Sequence, residues 1–221
     1  MLHSVYVFDA YGTLFDTSAA VARHAAELGG TGRQFAAIWR RKQLEYSWVR
    51  TLMGDGSRDF WALTEDALDY AFARVPEADP ALRAQLLEAY RDLDAFPEVP
   101  EMLRKLKERG ARLAILSNGS RTMLARAARS ARIDHLLDDI FSAEDVGRYK
   151  TAPEIYDLVT TAYRLYPDAV SFQSSNRWDI AGATRFGFRT VWINRGDEPE
   201  EYPDLPPAIV LPDLSGLVTL V

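Results

Sequence analysis

Cysteine is absent from all 221 residues. That excludes disulfides, a thiolate nucleophile and Cys-ligated metal, and a cytoplasmic location is expected. No apolar run approaches the roughly 20 residues of a membrane span. The apolar stretch Ser4–Phe8 starts so early that no signal peptide is expected before it. Extended basic blocks are also missing. Arg40-Arg41-Lys42 is the longest positive run, too short for a nucleic-acid surface. Neither a membrane nor a nucleic acid is therefore an expected partner. The net charge is −6, so an anionic ligand would have to be held by local groups against the overall field.

What is present is the composition of an ordinary globular protein, long enough for one large domain or a domain with an insert. Short β-like runs alternate with helical ones. The strand candidates are Ser4–Phe8, Arg112–Leu116, Ile140–Ser142, Val170–Gln173 and Thr190–Ile193. Helices are expected near Pro100–Arg109, Thr122–Ser130, Pro153–Leu165 and Ile180–Phe186. Strands spaced by helices imply βαβ units, hence an α/β fold with a doubly wound, mostly parallel sheet.

Residues 16–95 break this rhythm. They hold no strand pattern and read as four helices, Ala19–Leu28, Gly32–Thr51, Arg58–Phe72 and Pro80–Leu93. Phe35, Trp39, Tyr46 and Val49 form an apolar stripe on the second. The segment reads as a helical cap domain inserted after the first strand. Residues 1–15 and 96–221 form the core, re-entered through the rigid Phe96-Pro97-Glu98-Val99-Pro100. The tail Glu198–Pro212 is Pro-rich and loop-like, with a short strand at Ala208–Leu211.

Four polar sites fall just after four of the strands. Asp9 ends the first, with Gly12 three residues on to turn the chain. Ser117-Asn118-Gly119 follows the second, Lys150 follows the third across a loop, and Ser174-Ser175-Asn176-Arg177-Trp178-Asp179 follows the fourth. Taken singly they are ordinary. Asp9 could cap a turn, Ser117-Asn118-Gly119 is a good helix start, and Lys150 could be a solvated surface residue. In a doubly wound sheet, however, those strand ends converge on one crevice.

In that order the sites resemble the four motifs of the haloacid dehalogenase superfamily, over nearly the whole chain. The resemblance is closest to the L-2-haloacid dehalogenases. The first motif is Asp9-Ala10-Tyr11-Gly12-Thr13, the fourth is Ser174 to Asp179, and Trp39-Arg40-Arg41-Lys42-Gln43-Leu44-Glu45-Tyr46 is similar to the family's cap helix. Thr151 stands where the family usually has Pro. The resemblance implies a Rossmann-like core with a cap. It also implies metal-independent hydrolysis of short-chain L-2-haloacids to D-2-hydroxy acids through an aspartyl ester. It implies no cofactor, a 2-haloalkanoate substrate, a halide product and a homodimer.

Residue chemistry agrees with this narrower resemblance. A phosphatase of the superfamily needs an acid two residues after its nucleophile to protonate an alkoxide, and Tyr11 holds that place. A halide leaves without a proton. Ser174 occupies a usual Mg²⁺ carboxylate position, leaving Asp9 and Asp179 as a thin set for that ion. On this reading Asp9 attacks carbon, Lys150 keeps it ionised, and Thr13 holds its loop. Asp179 helps activate water, oriented by Ser174 and Asn176. By resemblance, Ser117 and the N–H groups of Asn118 and Tyr11 bind the substrate carboxylate, and Arg40 receives the halide. Leu44, Phe60 and Trp178 wall the side-chain pocket, and Tyr156 steadies the site. Arg40, Leu44 and Trp48 share an i, i+4 edge that could face the crevice. The alternatives are a Mg²⁺-dependent phosphatase on the same fold and a non-catalytic binding protein. Gln173 is a polar residue in an apolar strand and needs a partner if buried.

Overall fold

The structure is a computed structural model and describes residues 4–220; residues 1–3 and 221, assigned to the core above, lie outside it. Strand β1 (Val5–Phe8) is buried at every position. It lies at the centre of the sheet, parallel to β2 (Arg112–Ser117) on one side and β4 (Val170–Ser174) on the other. With β3 (Asp139–Ser142), β5 (Arg189–Ile193) and β6 (Ile209–Leu211) the order is β3-β2-β1-β4-β5-β6, all parallel. Strands covered on both faces must be apolar along their length rather than alternating, which is why β1 reads VYVF. The strand order reverses beside β1, and the carboxyl ends of β1 and β4 flank the resulting crevice.

Helices lie between β1 and β2 as expected, with corrected ends. The expected helix Ala19–Leu28 is two, α1 (Ser18–Ala22) and α2 (Ala25–Leu28). The break falls at Arg23, whose guanidinium reaches the Asp92 carbonyl (2.9 Å) and the Asp94 carboxylate (2.5 Å) at the far end of the insert. The long helix α3 runs Gly32–Met53 and stops at Gly54, whose φ of 69° is left-handed and suits glycine. Phe35 and Trp39 are buried, but Val49 on the expected stripe is 46% exposed. Helix α4 (Phe60–Arg74) starts later than expected because Asp59 caps it, accepting from the Ala62 N–H. The fourth helix is α5 (Arg83–Arg91), preceded by a 3₁₀ turn at Pro80–Leu82.

Beyond the insert, α6 (Val99–Glu108), α7 (Arg121–Ser130), α8 (Pro153–Tyr163) and α9 (Arg177–Phe186) match the expected helices within a few residues. The chain leaves β1 and returns side by side: Asp16 N–H bonds the Asp94 carbonyl and Phe96 N–H bonds the Leu14 carbonyl. Arg195 ties this crossing to the core. It donates to the Thr13 carbonyl and to Glu98, and stacks 3.7 Å above the Phe96 ring.

Candidate active site

The Asp9 carboxylate sits at the end of β1, in a residue only 5% exposed. An ionised group there requires partners. Its Oδ1 accepts from the Lys150 ammonium at 3.0 Å. Its Oδ2 accepts from Thr13 Oγ1 (3.1 Å), Asn176 Nδ2 (2.8 Å) and, more distantly, Ser174 Oγ (3.4 Å). Thr13 also accepts the Ser175 N–H, so its hydroxyl joins the β1 and β4 loops. Ser174 accepts the Asn176 N–H at 3.1 Å, and Asn176 reaches the Tyr11 carbonyl.

Lys150 is 1% exposed and lies between two carboxylates, with Asp179 Oδ2 at 2.7 Å opposite Asp9. Tyr156 donates to Asp179 Oδ1 at 2.8 Å, so it acts on the site through Asp179. Burial raises the Asp179 carboxyl from its ordinary value to about 6, opposed by Lys150 and reinforced by Asp9. Asp179 falls in the first turn of α9, which begins at Arg177 rather than Ile180 as expected.

Ser117 and Asn118 lie close by but are turned inward. Ser117 Oγ accepts from the Gly119 N–H, and Asn118 Oδ1 accepts from the Lys150 N–H at 2.8 Å. Ser120 caps α7, which begins at Arg121, one residue before the expected Thr122. Asn118 thus serves the Lys150 loop, and its N–H belongs to a turn rather than a helix terminus.

The Tyr11 ring stacks on Tyr90 (5.5 Å, 15°) and neighbours Phe60 at 6.3 Å. Gly119 leaves room for it, since a Cβ there would lie 2.8 Å from Tyr11 Cε2. Arg40 on α3 is partly buried while Arg41 is exposed, and Arg40 acts electrostatically on both Tyr11 and Tyr90. Leu44 is nearly buried. Trp178 is placed differently from Phe60: among the described ring contacts it meets Trp48 edge-on at 5.4 Å, and both tryptophans line an outer groove that touches Lys150. Trp48, 37% exposed, is on the surface rather than facing the crevice.

The sequence missed Gln43, Thr64 and Tyr90. Gln43 bonds Arg40, Thr64 and Tyr90 in the interior of the insert. The available signal was Gln43 three residues after Arg40, one helical turn along the same face.

The donor set does not suit Mg²⁺. The position between Asp9 and Asp179 is filled by an ammonium, and among the described residues no three His, Asp or Glu side chains come together to hold a metal. What remains is a buried carboxylate with a fixed countercharge, a second carboxylate of raised pKa, and an aromatic wall.

This crevice, with a buried carboxylate at the switch point of a parallel sheet, belongs to a hydrolase. Residues 3–187 match the haloacid dehalogenase-like hydrolase family, and the chain belongs to it. It is 44% identical over 218 residues to (S)-2-haloacid dehalogenase 1 of Pseudomonas sp. (strain CBS-3), covering 97% of this chain and 95% of that one. With (S)-2-haloacid dehalogenase 4A of Burkholderia cepacia it shares 46% identity over 197 residues, 89% and 85% of the two chains. The structure of L-2-haloacid dehalogenase from Xanthobacter autotrophicus with chloropropionic acid covalently bound superposes with a TM-score of 0.87. It is 32% identical and covers 99% of this chain and 98% of that one. No described helix is long and apolar enough to cross a membrane.

Proposed function

We propose that this chain hydrolyses short L-2-haloacids to D-2-hydroxy acids without a metal, through an ester on Asp9. The observation that carries the reading is the buried Lys150 ammonium held between Asp9 (3.0 Å) and Asp179 (2.7 Å). The cation offsets two carboxylates and an anionic substrate where a metal would otherwise be needed.

In the first step an Asp9 oxygen forms a bond to the halogen-bearing carbon as the carbon–halogen electron pair leaves with the halide. Oδ1 has one described donor, whereas Oδ2 has three. Oδ1 is therefore the attacking oxygen and Oδ2 becomes the ester carbonyl. In the second step water adds to that carbonyl. Thr13, Asn176 and Ser174 are then aimed at the developing oxyanion, and Asp179 accepts the proton of the water. Collapse breaks the ester carbon–oxygen bond, Asp179 passes its proton to the departing alkoxide oxygen to release the hydroxy acid, and loss of the remaining water proton to solvent returns the Asp9 carboxylate. The chiral carbon is displaced once and inverted.

Ser117, Asn118 and the Tyr11 N–H hold the substrate carboxylate, and Arg40 meets the halide. Leu44, Phe60 and Trp178 border the side-chain pocket, and Tyr156 orients Asp179. The division into a core of residues 1–15 and 96–221 and a cap of residues 16–95 belongs to the same proposal. So do the homodimeric state and the cytoplasmic location.

The deciding experiment is a single turnover in ¹⁸O-water with enzyme in excess and EDTA present. Label is expected in Asp9 and absent from the first-turnover hydroxy acid. Label in the product with Asp9 unlabelled would rule out the ester. Phosphate release from p-nitrophenyl phosphate that requires Mg²⁺, with no halide release from 2-chloropropionate, would favour the phosphatase. Neither product would leave a binding protein.

A further inference from the structure

Arg195 lies outside the Asp9 crevice and takes no part in the steps above. Its setting is a costly one. The side chain is 20% exposed, and its Nε is buried with no hydrogen-bond partner among the described residues. A buried ion pair short of a partner gives little stability, and an apolar side chain of similar size is often no worse there. What Arg195 holds is specific. One nitrogen, Nη2, donates both to the Thr13 carbonyl at 2.9 Å and to Glu98 Oε1 at 2.6 Å. The guanidinium lies 3.7 Å above the Phe96 ring.

Thr13 needs such a hold. Gly12 before it has a φ of 89°, a conformation that suits glycine and leaves the chain loose on that side. The Thr13 N–H makes only a long bond, 3.3 Å to the Ala10 carbonyl. The side chain is β-branched and stiff at χ1, so the direction of its hydroxyl follows from the placement of its backbone. That hydroxyl accepts the Ser175 N–H at 2.8 Å, lies 3.1 Å from Ser175 Oγ, and donates to Asp9 Oδ2 at 3.1 Å. The contacts therefore run from Arg195, through the carbonyl and hydroxyl of Thr13, to one oxygen of Asp9.

We infer that Arg195 is a positioning residue for the hydrolysis of the ester, acting on Asp9 through Thr13. This rests on the dehalogenase reading. In the first step Oδ1 takes the carbon and Oδ2 passes from carboxylate to ester carbonyl, so the oxygen that Thr13 faces loses charge. In the second step water adds and negative charge gathers on Oδ2, where a fixed donor counts most. A slack Thr13 should slow ester hydrolysis and spare ester formation.

The test is Arg195→Met. Arg195→Met/Glu98→Gln is a second variant that leaves no uncompensated carboxylate at the crossing. Both steps are timed with 2-chloropropionate in single turnovers, by halide release and by the mass of the Asp9 adduct. Ester hydrolysis is expected to fall about tenfold, the scale of one hydrogen bond to a charged group. Ester formation should stay near the wild type, and so should kcat/KM, which ends at halide release. Arg195→Lys should recover part of the lost rate, since one nitrogen makes both bonds. Equal losses in the two steps, no loss at all, or failure of both variants to fold would each overturn the inference and leave Arg195 a packing residue. The ¹³Cγ resonance of Asp9 in the labelled resting enzyme, assigned with Asp9→Asn, is read in parallel. It is expected to move in Arg195→Met as it does in Thr13→Val, and an unmoved resonance overturns the inference too. If the wild type releases no halide from any haloacid but the resonance still follows Arg195, the link to Asp9 stands and the dehalogenase reading fails.

Discussion

Burial raises the Asp179 carboxyl to about 6 although Lys150 lies 2.7 Å away. The desolvation of a completely buried carboxylate outweighs one ammonium that it must share with Asp9. The sign of the consequence follows. Above about pH 6 Asp179 is ionised and can take a proton from water; below it the group is already protonated and cannot. The rate of ester hydrolysis should fall on the acid side with a limb near 6, well above the ordinary carboxylate value of 3.8. Pre-steady-state hydrolysis measured from pH 4 to 8 checks this, and a limb at the ordinary value would remove Asp179 from the role of base. Asp9, Lys150 and Asp179 were legible as residues because a charge at the end of an apolar strand is conspicuous. That Lys150 bridges both acids was not, because nothing in a sequence fixes which carboxylate an ammonium reaches.

Helix α3 separates two neighbouring arginines into different environments. Adjacent helical residues point about 100° apart, so Arg40 turns toward Gln43 and the crevice while Arg41 stays in solvent. Arg40→Ala is expected to cost on the order of 10²-fold in kcat, the scale of one lost charge-stabilising donor. Arg41→Ala should change it little. Side-by-side halide-release assays read this directly, and a reversed pattern would shift the register of the helix by one. The Arg40 edge was readable from its period, yet Trp48 on the same edge is exposed and pairs with Trp178. Period places a residue on a helix face; it does not say where along its length that face leaves the core. Helix ends were missed for a similar reason. Asp59 and Ser120 set two true starts through one side-chain bond each, and the break falls at Arg23, which makes two.

At the scale of the molecule, the parallel sheet and the helical insert were legible because each imposes a period on many residues at once. Interactions between distant segments were not. Arg177 looked like a polar motif residue but is buried, holding Glu200 and the carbonyls of Tyr202 and Leu205, and so anchors the Pro-rich tail. Gln173 finds Ser171 Oγ at 2.6 Å for its amide, while its carbonyl oxygen has no hydrogen-bond partner among the described residues, for which we have no physical account.

The loop that carries Lys150 is fastened to the helical insert. Tyr149 bonds Thr51 through its N–H and the Arg58 carbonyl through its hydroxyl, and Gly147 packs so close to Gly56 that a Cβ there would lie 2.8 Å from its carbonyl. A swing of these helices away from the core would pull on the loop bearing the ammonium. Such a swing would gear access to electrostatic readiness. Tyr149→Phe cuts one tooth of the gear while keeping the ring. In rapid-quench experiments it should speed product release, slow formation of the ester, and make kcat less sensitive to added viscogen. If all three rates stay as in the wild type, the lid and the loop turn independently.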